Sequence, residues 1–318
     1  MVMAKQATFQ NPIFQDETKA REALEAVRWP NGPVCPHCGN ADAEKLAKVA
    51  GAKQSHRPGL FYCNECKGQF TVTVGTVFER SKVPLTKWWM AAHMLNSGKN
   101  GVSAHEIHRA LGVTYKTAWF MMHRLREAMS GMSGAGPMGG EGKSVQADET
   151  YYGNTSKRAK GYKKGHSRKA SIVALVEPKG RVRAIHVELG IGADIVRNIL
   201  VSNVDRKSEL HTDESRLYTK VGKEFADHKT VEHGWNGGGF YVGSDGQNTN
   251  AAENFFGNFK RSMKGTYRFC KEKHLARYLA EFEFRHNNRS GLGVTDGERT
   301  AKALAGIEGK RLTYRPAN

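Results

Sequence analysis

The chain has 318 residues and a formal net charge of +18, with 49 lysines and arginines against 31 aspartates and glutamates. This length predicts about two domains, and a positive excess of this size favours a phosphate-rich partner such as nucleic acid. The sequence has no apolar run long enough to span a bilayer and no apolar N-terminal leader. We therefore expect a cytoplasmic protein rather than a membrane or secreted one.

The first predicted element is a short amphipathic helix over residues 16–28, with apolar side chains at helical spacing. The segment that follows contains two Cys-x-x-Cys pairs, Cys35 with Cys38 and Cys63 with Cys66, separated by 24 residues. Two thiolates from each tight turn complete the tetrahedron that one structural Zn²⁺ prefers. A redox dithiol is the alternative, but neither pair lies in a thioredoxin-like βαβ unit. The cysteines therefore predict a zinc ribbon.

Helical patterns follow the cysteines. One helix is predicted to begin near Thr86, whose hydroxyl can cap it. Ser103, with Glu106 three residues later, predicts a capping box for a second helix, and Thr114 is the predicted cap of a third.

The second and third of these helices have the spacing of a helix-turn-helix, in which the start of the later helix meets base edges in the major groove. The predicted base-reading residues are Thr114, Tyr115, Lys116 and Thr117. Arg124 and its neighbour His123 are predicted to reach phosphates. A helical hairpin that serves only packing is the alternative interpretation.

Residues 131–142 hold six glycines in twelve positions and predict a linker. Beyond the linker, strands alternate with helices, which indicates an α/β fold with a mixed sheet. The predicted strands span 144–150, 171–177, 181–188, 210–213 and 229–232. The predicted helices span 194–204, 250–264 and 273–287. Four segments result: an N-terminal helix and zinc ribbon over 1–80, a helix-turn-helix domain over 81–130, the linker over 131–142 and an α/β domain over 143–318.

Three acidic residues lie in separate segments that can meet at one edge of this sheet. Asp148 lies near the end of the first strand, Asp213 ends a later strand, and Glu253 lies in the first turn of a helix. Ligands collect at the carboxyl ends of strands in such folds. Converging carboxylates repel unless cations neutralise them, and two divalent ions (Mg²⁺ or Mn²⁺) would do so. Three unrelated surface acids are the alternative, and Asp245 is a rival to Glu253.

Two basic features adjoin this acidic set. At 100° per residue, Glu253, Gly257, Lys260 and Lys264 form one stripe of their helix, beside a stripe of buried aromatic residues. This stripe presents a carboxylate, an open position at the glycine and two ammonium groups, and the two lysines are predicted to contact DNA phosphates. Between the first two strands of the α/β domain, a segment with seven basic residues and no acid is predicted to clamp DNA, with a solvated loop as the alternative. Its predicted contacts are Lys157, Arg158, Lys160, Lys163, Lys164, Arg168 and Lys169.

Together these motifs resemble bacterial insertion-sequence transposases of the Asp-Asp-Glu type that carry an N-terminal zinc ribbon, members of the retroviral-integrase superfamily. The resemblance covers nearly the whole chain. It is carried by R-W-P-N-G-P-V-C-P-H-C-G, C-N-E-C-K-G-Q-F, A-D-E-T-Y-Y-G, H-T-D-E-S, N-T-N-A-A-E-N-F-F-G-N-F-K-R-S-M-K-G-T-Y and E-F-E-F-R-H-N-N-R.

The resemblance implies an RNase H-like catalytic domain in which Asp148, Asp213 and Glu253 bind two Mg²⁺ ions. It also implies an accessory asparagine, which is Asn287 by position, with Asn288 as the alternative. The sequence departs from the family here, because two asparagines follow F-R-H where relatives tend to have one and then a basic residue.

The expected function is that of a DNA transposase, which cleaves the ends of an insertion sequence and transfers the freed strands into target DNA. Expected partners are terminal inverted repeats, target DNA and at least one further copy of the chain, in a bacterial cytoplasm and on the nucleoid when bound. One alternative is a non-catalytic regulator that binds DNA through the zinc ribbon and helix-turn-helix. Another is an RNase H-like nuclease or resolvase that cleaves without joining strands.

Overall fold

The computed structural model describes residues 9–49, 56–132, 134–153, 169–188, 190–231 and 247–313. The chain divides into two compact units. The first runs to Ser130 and also includes the residues from Asn288 onwards, and the second is Gly131–Asn287. Within the described ranges, no helix combines the length and the apolar character that a membrane crossing requires.

The helices of the described residues are α1 (Glu17–Arg28), α2 (Leu85–Ser97), α3 (Ala104–Leu111), α4 (Tyr115–Met129), α5 (Ala193–Asn203), α6 (Asn250–Ser262), α7 (Glu272–Asn287) and α8 (Asp296–Ala305). The strands are β1 (Leu46–Lys48), β2 (Phe61–Cys63), β3 (Gln69–Phe70), β4 (Ser144–Tyr152), β5 (Ala170–Val176), β6 (Val182–Val187), β7 (Glu209–Asp213) and β8 (Asp227–Val231). Each predicted helix and strand of the second unit is present, with ends within two residues of the prediction.

Local caps begin most helices of the first unit. The hydroxyl of Ser103 accepts from the Glu106 amide, and the Glu106 side chain accepts from the Ser103 amide, so the predicted capping box of α3 is present. The Thr114 hydroxyl caps α4 by accepting from the Thr117 amide. These contacts fix the helix-turn-helix geometry from within a few residues of sequence.

The cap of α2 differs from the prediction. Thr86 lies inside the helix, and the cap position is Pro84, which has no side-chain hydrogen bond. The carboxylate of Glu17 on α1 instead accepts from the amides of Leu85 (2.7 Å) and Thr86 (3.1 Å). A negative charge at a helix N-terminus satisfies its unpaired amides and complements its dipole. The chain therefore caps α2 with a residue that lies 68 positions away.

Helix α8 packs with the first unit, against α1, α2 and α4. Its Arg299, which is 7% exposed, donates to the carbonyl oxygens of Asn96 (2.6 Å) and Asn288 (2.7 Å). The predicted α/β domain extended to residue 318, whereas the second unit ends at Asn287. The difference arises because α8 is an ordinary amphipathic helix, whose sequence does not specify the core into which it packs.

The second unit is built on a five-stranded mixed sheet in the order β6-β5-β4-β7-β8. The pairs β6–β5 and β5–β4 are antiparallel, while β4–β7 and β7–β8 are parallel. In chain order this is three antiparallel strands followed by two parallel ones on the other side of the first, which is the RNase H-like arrangement. The predicted α/β mixed-sheet class is therefore confirmed.

Helices cover both faces of this sheet. One face packs on α6 and α7 through apolar side chains of β5 and β6, and the other packs on α5. Successive residues of a strand point to opposite faces. On β4, Val145 and Ala147 belong to the α5 side, so Gln146 and Asp148 lie on the α6 side. This alternation decides which acidic residues can meet α6.

Candidate active site and zinc site

The four cysteines of the first unit form a compact cluster. Their sulfur atoms all lie within 4.8 Å of one another. The Sγ atoms of Cys35 and Cys66 are 3.7 Å apart, and so are those of Cys38 and Cys63. A tetrahedron with Zn–S bonds of about 2.3 Å has edges of about 3.8 Å, so the spacing suits Zn²⁺ without rearrangement. Four thiolates leave no open coordination position, which makes the zinc structural.

The backbone around the cysteines prepares them for a metal. Gly39, just after the first pair, has φ +77°, a conformation that glycine adopts without steric cost. Backbone amides of Cys66 and Glu65 donate to Cys63 and lower the pKa of that thiol, whereas burial and the neighbouring cysteines raise the pKa of Cys38 and Cys66. Because thiolates rather than thiols bind metals, Cys63 is the cysteine best prepared for zinc, and the others must release protons when a metal binds.

Asp148 and Asp213 lie on neighbouring parallel strands at the same level of the sheet. The β4–β7 ladder pairs Val145 with Leu210 and Gln146 with His211. Two residues further along each strand come Asp148 and Asp213, on the α6 face of the sheet. Since adjacent strands are about 4.8 Å apart, the two carboxylates are neighbours.

Helix α6 brings Glu253 to the same face through an unexpected contact with β4. Gln146 is fully buried, and its Oε1 accepts from the amides of Ala251 (2.9 Å) and Ala252 (3.2 Å) in the first turn of α6. Its Nε2 donates to Oδ1 of Asn248 at 2.8 Å. Gln146 therefore caps α6 from the sheet, two residues before Asp148 on the same face of β4 and with Glu253 directly after the capped amides.

The electrostatics of Asp148 reflect this convergence. Burial, and to a smaller extent the charges of Glu149, Asp213 and Glu253, outweigh the lowering effect of the Glu149 amide and together raise the pKa of Asp148 to about 7. That amide donates to Oδ1 of Asp148 at 2.8 Å. The hydroxyl of Thr249 donates to Oε1 of Glu253 at 2.9 Å, which orients the third carboxylate.

Glu149 belongs to the opposite face of the sheet, as its position next to Asp148 predicts. The hydroxyl of Tyr218, a fully buried residue on the α5 side, donates to Oε2 of Glu149 at 2.6 Å. Burial raises the pKa of Glu149 as well. The other neighbouring acid, Glu214, is exposed. The rival Asp245 lies outside the described residues.

The chemistry of the acidic set fits a divalent cation. Asp148 is half-buried beside three like charges, and a bound cation would relieve both the burial cost and the repulsion. Carboxylate oxygens are the ligands that Mg²⁺ prefers. Across the described ranges, however, only the four cysteines form a group of three or more possible ligands drawn close enough to hold a metal. The three carboxylates therefore lie on the same face of the sheet, but their oxygen atoms are not close enough to one another to form a metal-binding group as they stand.

Both polar atoms of the Asn287 side chain bond to a part of the second unit away from the acidic residues. Its Oδ1 accepts from the Val182 amide at 2.7 Å, and its Nδ2 donates to the Val182 carbonyl at 2.9 Å. Val182 lies on β6, which β5 separates from β4. The structure therefore brings Asp148, Asp213 and Glu253 to one face but holds the predicted Asn287 two strands away.

The predicted alternative, Asn288, belongs to the first unit. Its Oδ1 accepts from the Lys302 ammonium at 3.2 Å.

In the helix-turn-helix, Thr114, Tyr115 and Lys116 are exposed and Thr117 is half-buried. The Tyr115 ring stacks on His105 of α3, with centroids 4.4 Å apart. Because the hydroxyls of Thr114 and Thr117 bond to each other at 2.9 Å, Tyr115 and Lys116 are the freer candidates for base contacts.

The two predicted phosphate contacts of α4 have different surroundings in the structure. His123 is 1% exposed and packs on Trp119, so it cannot reach DNA. Arg124 is half-buried over the Phe120 ring, 4.7 Å from its centroid, and donates to the Glu79 carbonyl at 3.4 Å. Arg124 lies about 100° further round α4 than His123 and lines a cleft with Lys116 and Thr117, so its phosphate contact stays a prediction, whereas that of His123 is wrong.

Two basic residues that were not predicted to contact DNA lie beside α4. Arg80 and Lys82 are exposed and line a cleft of about 380 Å³ together with Lys116 and Thr117. A cation-lined cleft at the start of the recognition helix is suited to a DNA backbone. The only signal in the sequence was the pair Arg80 and Lys82 shortly before α2.

Of the predicted phosphate contacts in the second unit, Lys169, Lys260 and Lys264 are exposed. Lys264 lies on a π-helical turn, Met263–Tyr267, that continues α6, so it departs from the predicted α-helical stripe. No Cβ at Gly257 would meet a neighbouring atom, which agrees with the predicted open position. The remaining predicted contacts lie outside the described residues: Lys157, Arg158, Lys160, Lys163, Lys164 and Arg168.

Comparison with known proteins matches both parts of the chain to transposase families. Residues 139–287 match the ISXO2-like transposase domain, and residues 15–69 match the transposase zinc-ribbon domain. A protein of Halobacterium salinarum, described as an uncharacterized protein in transposable element ISH50, is 24% identical over 285 residues, which are 86% of this chain and 91% of that protein.

Two solved structures of Mos1 are also similar in part. The Mos1 strand transfer complex shares 12% identity at a TM-score of 0.22 over 62% of this chain and 74% of that one. A pre-cleavage Mos1 transpososome shares 10% identity at a TM-score of 0.21 over 62% and 75%. TM-scores this low do not establish a shared fold. The RNase H-like arrangement is indicated instead by the order and direction of the strands in the sheet. Residues 139–287 are thus similar to an ISXO2-like transposase domain and residues 15–69 to a transposase zinc ribbon, which agrees with the resemblance found in the sequence.

Proposed function

Taking the two matched transposase domains as the premise, we propose that this protein is a DNA transposase whose second unit cleaves the ends of an insertion sequence and joins them to target DNA. The carrying observation is the convergence of Asp148, Asp213 and Glu253 on one face of the sheet, where burial and mutual charge raise the pKa of Asp148 to about 7. Such strongly perturbed groups mark functional sites more often than structural ones.

The three carboxylates would hold Mg²⁺ or Mn²⁺, which activates water or a hydroxyl and stabilises the leaving oxygen when bound. In the first reaction, water adds to the phosphorus at the element end, and the P–O3′ bond breaks to free a 3′-hydroxyl. In the second, that hydroxyl attacks a phosphodiester of target DNA and displaces its 3′-oxygen. Exposed Lys260 and Lys264 would neutralise neighbouring phosphates of the same strand.

The first unit would bind the terminal inverted repeats. Its zinc ribbon supplies a rigid module, Tyr115 and Lys116 stand exposed at the start of the recognition helix, and Arg80 and Lys82 line the adjacent cleft. Because two element ends must be joined in concert, we expect the active species to be a dimer or a larger assembly on DNA.

The test is a cleavage and joining assay with a labelled duplex from the DNA that flanks the gene and a supercoiled target plasmid, with and without Mg²⁺. Asp148→Asn is expected to lose cleavage and joining by at least a thousandfold but to bind the duplex as the wild type does. Glu149→Gln is the matched control, because it removes the adjacent carboxylate that faces Tyr218, and it is expected to keep activity.

Three outcomes would contradict the proposal. Mg²⁺-dependent activity retained by Asp148→Asn would show that the trio is not the active site. Wild-type protein that binds but never cleaves would indicate a regulator, and cleavage without joining would indicate a nuclease or resolvase.

A further inference from the structure

The most exposed large apolar side chain among the described residues is Phe269, which is 74% exposed. It lies between the π-helical turn that follows α6 and the start of α7. Its neighbour Arg268 has φ +59°, a conformation that non-glycine residues rarely adopt and that the surrounding structure must hold in place. No burial gain accounts for a phenyl ring held out in water at this position.

The surroundings of Phe269 form a cleft of about 530 Å³, within the range of small-ligand sites. One wall is the end of β4, Tyr152 and Gly153, and the other is the segment 268–273. The Tyr152 ring is fixed edge-on against Phe259, with centroids 5.5 Å apart. The cleft therefore combines a rigid aromatic wall with an exposed aromatic ring.

The charge of this cleft is positive. Arg268, Lys271 and Lys273 line it and are exposed, while its only lining acid, Glu272, lies 3.7 Å from the imidazole of His186 and is largely buried. Lys169 directly precedes β5 and is exposed, and it lies near the same end of β4 because Tyr152 pairs with Ala170. Exposed aromatic rings among cations, without a free acid, are the composition of nucleic-acid stacking surfaces.

The cleft also lies at a definite distance from the acidic trio. Tyr152 is four residues after Asp148 on the same face of β4, which is about 13 Å along a strand. Successive nucleotides of one DNA strand rise by about 3.4 Å, so this distance corresponds to about four nucleotides.

We propose that Phe269 and the cleft behind it bind one unstacked base of the DNA strand that the acidic trio acts on, while Arg268, Lys271 and Lys273 contact the flanking phosphates. This rests on the proposed function for the identity of the DNA, but the contact itself requires no catalysis. The base stacks on the phenyl ring, a contact that contributes about 1–3 kcal/mol by alanine substitution in other proteins.

The test measures binding of a 20-nucleotide thymidine strand with a central 2-aminopurine, and of a 20-base-pair duplex, without added magnesium. Phe269→Ala is expected to weaken strand binding about tenfold, with an unchanged salt dependence and smaller quenching of the 2-aminopurine, and to leave duplex binding within twofold. Phe269→Trp is expected to restore binding. Leu292→Ala, which truncates another exposed apolar side chain, is the matched control and should bind as the wild type does.

Lys271→Gln separates the two kinds of contact, because losing a phosphate contact lowers both the affinity and the salt dependence. Strand binding by Phe269→Ala equal to wild type would overturn the proposal. So would a loss of self-association in this variant with strand binding intact, since the occupant would then be a second copy of the chain. Because the assay also works in the Asp148→Asn background, failure of the stacking site and failure of the transposase proposal give different results.

Discussion

The two sets of candidate metal ligands in this chain, the cysteines and the acidic residues, differ in how closely the protein alone brings them together. The cysteines come from two tight turns. Their four sulfurs lie within 4.8 Å of one another, and two of the sulfur pairs already have the 3.7 Å spacing of a zinc tetrahedron. The carboxylates of Asp148, Asp213 and Glu253 come from two strands and a helix, and they converge without closing into a ligand group. Thiols lose their charge repulsion by keeping protons, whereas buried carboxylates beside each other raise one another's pKa. We therefore expect the cysteine set to stabilise the fold, whereas the acidic set retains an electrostatic repulsion that a bound cation would relieve.

The largest effect is expected at the zinc set. Cys63→Ser removes one of four thiolates, and structural zinc contributes about 10–16 kcal/mol to the folding of zinc-finger peptides, so the ribbon should unfold while the second unit stays folded. Zinc content per chain and limited proteolysis measure this. Cys270→Ser, outside the cluster, is the control. One zinc per chain in Cys63→Ser would remove the contrast between the two sets.

Asp148→Asn is expected to increase the stability of the second unit, whereas Cys63→Ser lowers that of the first. In metal-free protein at pH 8, the raised pKa of Asp148 means that its ionised form destabilises the fold, and the asparagine should recover up to about 4 kcal/mol. Calorimetry should show a higher Tm for the second unit. Mg²⁺ should then raise the Tm of the wild type more than that of the variant. A lower Tm for metal-free Asp148→Asn would contradict the idea of stored repulsion.

Glu283 sharpens the comparison, because burial raises its pKa to about 7 without an acidic neighbour among the causes. A folded-state pKa above the unfolded value of about 4.5 means that stability falls as pH rises from about 4.5 to 7. Glu283→Gln, which keeps an acceptor for the Ala184 amide, should gain up to about 3 kcal/mol at pH 8 and almost nothing at pH 4. Urea unfolding at both pH values measures it. A gain that depends on Mg²⁺ would mean that Glu283 belongs to the acidic set.

The smallest effect is expected at Gln146, which holds α6 against β4. Gln146→Met removes a helix cap worth about 1 kcal/mol and loosens Glu253, so cleavage should slow about tenfold and need more Mg²⁺, with DNA affinity unchanged. Gln146→Glu keeps an acceptor for the α6 amides and should recover part of the rate. Equal loss of DNA affinity and rate in Gln146→Met would indicate a general folding defect instead.

Local signals in the sequence predicted much of the fold. The Ser103–Glu106 capping box, the Thr114 cap and the two Cys-x-x-Cys turns each act within four residues, so their patterns are visible in the chain. Contacts between residues that are distant in the chain could not be predicted in this way. Glu17 caps α2 across 68 residues and Gln146 caps α6 across 105, and neither has a pattern that identifies its partner.

The functional residues show the same limit, because contacts with distant parts of the chain could not be predicted for them either. Residue type and strand alternation predicted the common face of Asp148, Asp213 and Glu253, because each lies at the end of a predictable element or in its first turn. They could not predict that the Val182 backbone occupies both polar ends of Asn287, or that His123 faces the core. Both contacts depend on which side of a helix meets a partner distant in the chain.

Helix α8 has a consequence for biogenesis. It belongs with the first unit but is translated after the whole second unit. During synthesis the first unit therefore waits for about residue 305 to leave the ribosome before it can close, whereas the second unit can fold as soon as Asn287 has emerged. The second unit can thus finish folding before the first, although the first begins earlier in the chain. The unit proposed to bind the inverted repeats is the last to be completed.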